Sequence, residues 1–256
     1  MTNQVLPISG LIITLNEEKN IVRCLNSLTW LDEIIMVDSG STDETITLAS
    51  KFKNVKIHHT KWLGYSGTKQ FGLQFTSNKW IFWVDADEVV TEELHLEIME
   101  YFKSVSENIF ALSLPRKTFF MGEWVRYCGW YPGTVVRIFD KTKCTFNDKA
   151  LHEGVEVESS KVYNLNSDML HYSYTSVYQY FDKMNAYGKD GALALIQRKK
   201  KFSPLMMLVG PFATFFKFYF MKKGYLDGTK GLVISIGSSF STFIKYVNLY
   251  YLTKKS

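Results

Sequence analysis

The sequence predicts an α/β fold, a mostly parallel sheet flanked by helices, with a C-terminal amphipathic helical extension. Three observations carry that expectation. Short apolar runs alternate with segments of helical periodicity, polar and acidic clusters close those runs, and the chain turns aromatic and basic beyond Arg198. A chain of 256 residues implies one or two domains with a core large enough to fold without staples. A hydrophobic content of 46% with 21% charged residues excludes disordered and collagen-like classes.

Ile8 to Leu15 (ISGLIITL) is apolar and β-branched, as a buried parallel strand requires. Asn16-Glu17-Glu18 follows, and Ile21, Cys24, Leu25 and Leu28 recur at helical spacing. Ile34 to Val37 forms a second strand, closed by Asp38-Ser39-Gly40-Ser41-Thr42-Asp43-Glu44, where Ser41 and Glu44 match a capping box for a helix through Ala49. Val55 to His58 is a third strand and Ser66 to Phe75 a helix. Lys79 to Val84 is a fourth strand, ending in Asp85-Ala86-Asp87-Glu88, after which Thr91 is placed to cap another helix. The alternation fades beyond Ile109 into mixed strand and loop, and Tyr178 to Gln197 is helical.

Cys24, Cys128 and Cys144 are too few and too scattered for a disulfide framework or a CxxC metal site, which suits a reducing cytosolic compartment. The N-terminus lacks the basic region of a secretory signal. From Arg198 to Ser256 the net charge is +10, against −5 for the remaining chain. Such a tail suits an anionic surface.

In an open parallel sheet, ligands bind outside the carboxyl ends of the strands. Asn16-Glu17, Asp38 to Asp43 and Asp85 to Glu88 all fall there, so they are expected to converge in one crevice. Paired carboxylates at a strand end suit Mg²⁺ or Mn²⁺, which take one or two carboxylates plus phosphate oxygens. Neither GxGxxG after the first strand nor GxxxxGK[ST] occurs, which disfavours dinucleotide oxidoreductases and P-loop NTPases. A nucleoside diphosphate held through its metal remains.

LIITLNEEKNI, IIMVDSGSTDET, GTKQFGL and WVDADE, in that order, resemble the motifs of family-two inverting glycosyltransferases with a GT-A (Rossmann-like) fold. RIFD, His152-Glu153, His171-Tyr172 and GYLDGTKGL are similar to the subgroup that extends the inner core of lipopolysaccharide or lipooligosaccharide. The resemblance implies that the backbone at Thr14 and the side chains of Glu17 and Asp38 hold uracil and ribose, with Asn16 in the same donor-binding loop. Ser41 and Asp43 would shape that pocket, although helix capping explains both equally well. Asp85 would face the ribose and Asp87 bind the metal. Lys69, and with it Arg137, would neutralise the departing diphosphate; a solvated helix lysine is the plainer role for Lys69. Glu153 is the expected general base, with Glu123, Asp148 and Glu156 as competitors. His152 is open to three roles: orienting Glu153, ligating the metal, or a plain hydrogen-bonded loop imidazole. His171 has similar standing, and His58, His59 and His95 receive no function.

Pro204 to Met221 has one charge, Lys217, and a Gly210-Pro211 break; from Leu232 onward, Ile236, Phe240, Phe243, Val247 and Tyr250 form one face while Ser235, Ser238, Thr242, Lys245 and Asn248 form a polar stripe. These features favour helices lying in a bilayer interface over a span or a packed tail. Nucleic acid is disfavoured because the aromatics lie on helical apolar faces.

The organisation expected is a catalytic domain over residues 1–200 and a membrane-associating extension over 201–256. The expected activity is inverting transfer of a hexose, glucose from UDP-glucose, onto a lipid-linked saccharide such as the lipooligosaccharide inner core, by a peripheral enzyme on the cytoplasmic face of the inner membrane. The alternatives are a polyprenyl phosphate or capsule-precursor acceptor, and a non-catalytic, nucleotide-responsive membrane-binding module. Oligomeric state is left open.

Overall fold

The computed structural model describes Leu6, residues 8–147 and residues 154–254. In chain order the elements are β1 (Ile8–Thr14), α1 (Ile21–Asn26), β2 (Glu33–Asp38), α2 (Thr45–Ala49), β3 (Val55–His59), α3 (Tyr65–Leu73), β4 (Trp80–Trp83), β5 (Glu88–Val90) and α4 (Glu92–Tyr101). Then come β6 (Ala111–Leu114), β7 (Arg116–Phe120), β8 (Glu123–Trp124), β9 (Val135–Asp140), β10 (Thr145–Phe146), β11 (Val155–Glu156), β12 (Val162–Asn164) and β13 (Met169–Tyr174). Three helices follow, α5 (Val177–Gln197), α6 (Pro204–Phe216) and α7 (Gly228–Lys254).

The chain divides into two units, residues 1–116 with 134–171, and residues 117–133 with 172–256. The boundary expected at residue 200 thus falls inside the second unit, because α5 packs along α7. Their backbones approach closely: a Cβ at Gly188 would lie 2.6 Å from Ile244, and one at Gly237 would lie 2.3 Å from the Tyr180 ring.

The first unit holds a seven-stranded sheet of order β12-β6-β9-β4-β1-β2-β3. β1 pairs in parallel with β2 and β4, and β2 with β3; β9 runs antiparallel to β4 and β6. The expected α/β architecture with a mostly parallel sheet is what the chain adopts. One face packs Ile8, Ile12, Ile34, Met36 and Phe82 against Ile21, Cys24, Leu25, Leu94 and Ile98. The other packs Leu11, Val37, Ile81 and Trp83 with Leu73, Phe139 and Phe146. Gly72 lets α3 press onto that face, since a Cβ there would lie 2.5 Å from Leu11. Thr91 caps α4 as expected, its side chain accepting from the Leu94 N–H. The Ser41–Glu44 capping box does not form. Asp43 instead accepts from the Thr45 N–H, freeing Ser41 for Asp38.

Glu33 lies at the opposite end of β2, buried, with Ser9, Ser77 and Lys56 around its carboxylate. Burial alone would raise its pKa, but those partners prevail and lower it to about 2. A depressed carboxyl contributes stability above its unfolded value of 4.5 and loses it as pH falls toward about 2. Glu33→Gln is therefore expected to cost about 2–3 kcal/mol at pH 7 and to flatten urea stability between those pH values.

In the second unit, the polar stripe of α7 faces its neighbours rather than water. Ser235 is fully buried and donates to the Gly231 carbonyl, Thr242 meets Thr214 at 3.1 Å, and Ser239 donates to the Pro211 carbonyl. Leu205, Leu208, Phe212 and Phe216 of α6 point outward, Phe212 with 77% of its surface exposed. Small and polar groups lie where α6 and α7 meet, Ile234 and Leu249 of α7 are also buried, and the large apolar groups of α6 point outward. Residues 204–221 and 224–254 are long and apolar enough to cross a membrane.

Candidate active site

The register of the central strands puts three acidic loops on one edge. Thr14 at the end of β1 pairs with Asp38 at the end of β2, and Leu11 pairs with Trp83, so Asp85 follows β4 on the same side. The β1–α1 and β2–α2 loops are stitched together. Asn16 N–H donates to Ser41 Oγ at 2.9 Å, Asn16 Oδ1 accepts from Thr42 N–H at 2.8 Å, and Glu17 N–H donates to Thr45 Oγ1 at 2.7 Å. Asn16 sustains a φ of 57°, a left-handed conformation that Asn tolerates better than most residues. Asp43 serves this stitching too, accepting from Glu18 N–H.

Asp38 is buried and bound by Ser41, Gly40 and Thr14. Burial pushes its carboxyl up, and the hydrogen bonds from Ser41, Gly40 and Thr14 outweigh it and leave it lowered. His59, which the sequence assigned no function, places Nδ1 3.7 Å from Asp38 Oδ2. His58 stacks on Phe75, and His95 stacks on Trp30 with its Nδ1 4.0 Å from Glu92. Glu17 is raised, first by burial and then, against the lowering hydrogen bond from Asn20, by the charges of Asp87, Asp85 and Asp43. Acids of the other two loops therefore act on this one carboxyl group.

Beneath Asp85 lies a layer of cations. Lys69 sits 3.7 Å from the centre of the Trp83 ring and 3.7 Å from Asp85 Oδ1, with 2% of its side chain exposed. The solvated-lysine role is excluded. Arg137 is 3.5 Å from the same ring, donates to Asp85 Oδ2 at 2.7 Å and pairs with Glu88, which is fully buried. Arg116 reaches Glu88 at 3.5 Å. Burial would raise the Asp85 carboxyl, but Arg137 and Lys69 hold it well below the usual carboxylate range. Burial lowers Arg137 less than Asp85 and Glu88 raise it. Arg137 thus orients Asp85 through one guanidinium nitrogen, and its side chain is buried.

β13 brings in a residue whose role sequence reading left open. His171 pairs in register with Glu88, and its Nε2 lies 3.3 Å from Asp87 Oδ2. Its buried Nδ1 has no hydrogen-bond partner among the described residues. Trp83 is a site residue that sequence reasoning misses, and Glu88 and His171, which it singles out, carry no definite role there, although WVDADE and His171-Tyr172 contain them. His152, Glu153 and Asp148 lie outside the described residues. Of the other competitors for the base, Glu123 pairs with Lys230 in the second unit, and Glu156 lines a 480 Å³ cavity with Gln70, Gln74 and Asn147.

A divalent cation would need donors here. Among the described residues, no three His, Cys, Asp or Glu side chains converge to hold one unaided. Asp85 is taken up by Lys69 and Arg137, whereas Asp87 is 23% exposed with His171 beside it. The Asp87 carboxylate, with the His171 imidazole beside it, fits a hard cation that takes one carboxylate and its remaining ligands from phosphate and water, as Mg²⁺ does at nucleotide sites.

The model of glycosyl transferase family 2 matches residues 9–147, which include every donor-side loop described above. The chain belongs to that family and is a glycosyltransferase. An uncharacterised glycosyltransferase of Rickettsia typhi is 32% identical over 97% of this chain and 88% of its own length. The lipopolysaccharide core biosynthesis glycosyltransferase LpsC of Rhizobium meliloti is 27% identical, covering 96% of this chain and 92% of its own. Among solved structures, S. aureus TarS 1–349 in complex with UDP aligns at 13% identity and a TM-score of 0.49, covering 97% of this chain and 92% of that one.

Proposed function

We propose that this chain transfers a hexose, glucose from UDP-glucose, with inversion onto a lipid-linked saccharide such as the lipooligosaccharide inner core. The carrying observation is the single acid-lined edge formed by Asp38, Asp85 and Asp87, with cations beneath it. Asp38 and Glu17, with the Thr14 backbone, hold uracil and ribose. Ser41, Asn16 and Asp43 keep their two loops in the binding geometry. Asp85, aimed by Lys69 and Arg137, faces the ribose. Asp87 and His171 hold Mg²⁺ or Mn²⁺, which when bound neutralises charge on the diphosphate. Glu153 takes the proton of the acceptor hydroxyl as that oxygen attacks the anomeric carbon from the side opposite the diphosphate, whose bond to that carbon breaks as UDP leaves.

The acceptor class is supported by the likeness to a protein named for lipopolysaccharide core biosynthesis. The apolar outer face of α6, flanked by Lys217, Lys222 and Lys223, supports attachment to the cytoplasmic face of the inner membrane.

A screen of nucleotide sugars by thermal shift and by hydrolysis, with and without Mn²⁺, tests the reading. UDP-glucose is expected to give the largest shift; a preference for a non-uridine donor contradicts it. Glu153→Gln is expected to retain UDP affinity and lose about 10²–10⁴-fold in turnover. Turnover at the wild-type rate assigns the base elsewhere.

A further inference from the structure

We infer that the segment Lys117–Gly133 of the second unit is a recognition surface for a saccharide bearing an anionic group, a phosphate or a carboxylate. The segment is dense in aromatic residues and contains two cations, Lys117 and Arg126, and one acid, Glu123. That acid is already engaged with Lys230 at 2.9 Å. Neither Lys117 nor Arg126 is in an ion pair among the described residues. Both lie instead on aromatic rings: Lys117 Nζ is 4.3 Å from the centre of Trp124, and the Arg126 guanidinium is 5.8 Å from Trp124 and 5.9 Å from Tyr127. Tyr131 meets Trp124 edge to face at 5.5 Å. An indole offers a flat apolar face to the C–H face of a sugar ring, and a guanidinium beside it forks onto two oxygens of a carboxylate or phosphate.

The surface is held rigid from behind. Phe120, Val125 and Cys128 are buried in the core of the second unit with Tyr174, Tyr180 and Ile234. Asp227 accepts from the backbone N–H groups of Arg126 and Tyr127 at 3.1 and 2.7 Å, and Cys128 N–H donates to the Lys222 carbonyl. A Cβ at Gly231 would lie 1.9 Å from the Gly224 carbonyl oxygen, so only glycine fits there. The motif GYLDGTKGL, to which the donor site gives no role, is thus the clamp of this loop. Met121 and Cys128 stand at φ of 52° and 56°, left-handed conformations that non-glycine residues adopt at a cost. A loop fixed at such cost, with two uncompensated cations on aromatic faces, is preorganised for a ligand carrying the opposite charge.

Calling this saccharide the acceptor rests on the proposed transfer reaction; the surface itself does not. The test is calorimetry on the full chain with deacylated lipooligosaccharide core as probe, repeated after dephosphorylation and after carboxyl reduction. Arg126→Gln and Trp124→Ala are each expected to weaken binding about tenfold or more. The first replaces an exposed side chain, so folding is not at stake. Loss on dephosphorylation assigns the phosphate, and loss on carboxyl reduction assigns the carboxylate. Wild-type affinity in both variants, or binding that survives both treatments, overturns the inference. So does a defect confined to flotation with phosphatidylglycerol vesicles, which would make the surface a membrane contact. A UDP titration of the wild-type protein reads the donor site separately, so saccharide binding without UDP binding would sink the transferase reading and leave this surface standing.

Discussion

Arg137→Met is expected to destabilise the protein by about 3–5 kcal/mol, because it strands Asp85 and the fully buried Glu88 without their shared cation. The cost comes from the acids left behind, since methionine fills much of the vacated space. The double variant Arg137→Met/Glu88→Gln removes one of those charges and is expected to recover a large part of the loss. Urea unfolding of the two single variants and the double one measures the coupling. A single-variant loss below about 1 kcal/mol would mean that water or Lys69 compensates the pair, and that Arg137 does not set the position of Asp85.

Asp87→Asn carries the largest expected effect on catalysis, a drop of about 10²–10³-fold in transfer with stability little changed. The carboxylate is partly exposed and has His171 beside it, so its removal leaves no buried charge unpaired. The amide keeps the shape of the side chain and its contact with His171 but loses the charge that holds a cation. Arg137→Met and Asp87→Asn thus separate two neighbouring functions, one read in unfolding and one in turnover.

Most of the sheet was legible in the sequence, because parallel strands buried on both faces read as unbroken apolar runs and short loops leave few topologies. The donor loops were legible for the same reason: Asn16-Glu17, Asp38 and Asp85 each follow such a run. The exceptions are long-range. β5 and its pairing with β13 carry no local signature, so His171 was not placed beside Asp87 from sequence. Lys69 and Arg137 look like ordinary helix and strand cations until Trp83 is found between them. Ser41 matched a capping box, yet the tertiary contact with Asp38 prevails over the local one. The polar stripe of α7 is legible as a stripe, but what Ser235 and Thr242 meet is not, since an isolated helix does not reveal its partner.

Calorimetric titration of UDP into the wild-type protein and Asp87→Asn, each with Mn²⁺ and with EDTA, tests the donor site most directly. The expected result is binding to the wild type that weakens at least about tenfold in EDTA, and weak binding by Asp87→Asn that Mn²⁺ fails to improve. Equal affinity for UDP in all four titrations would contradict a diphosphate held through a cation at Asp87.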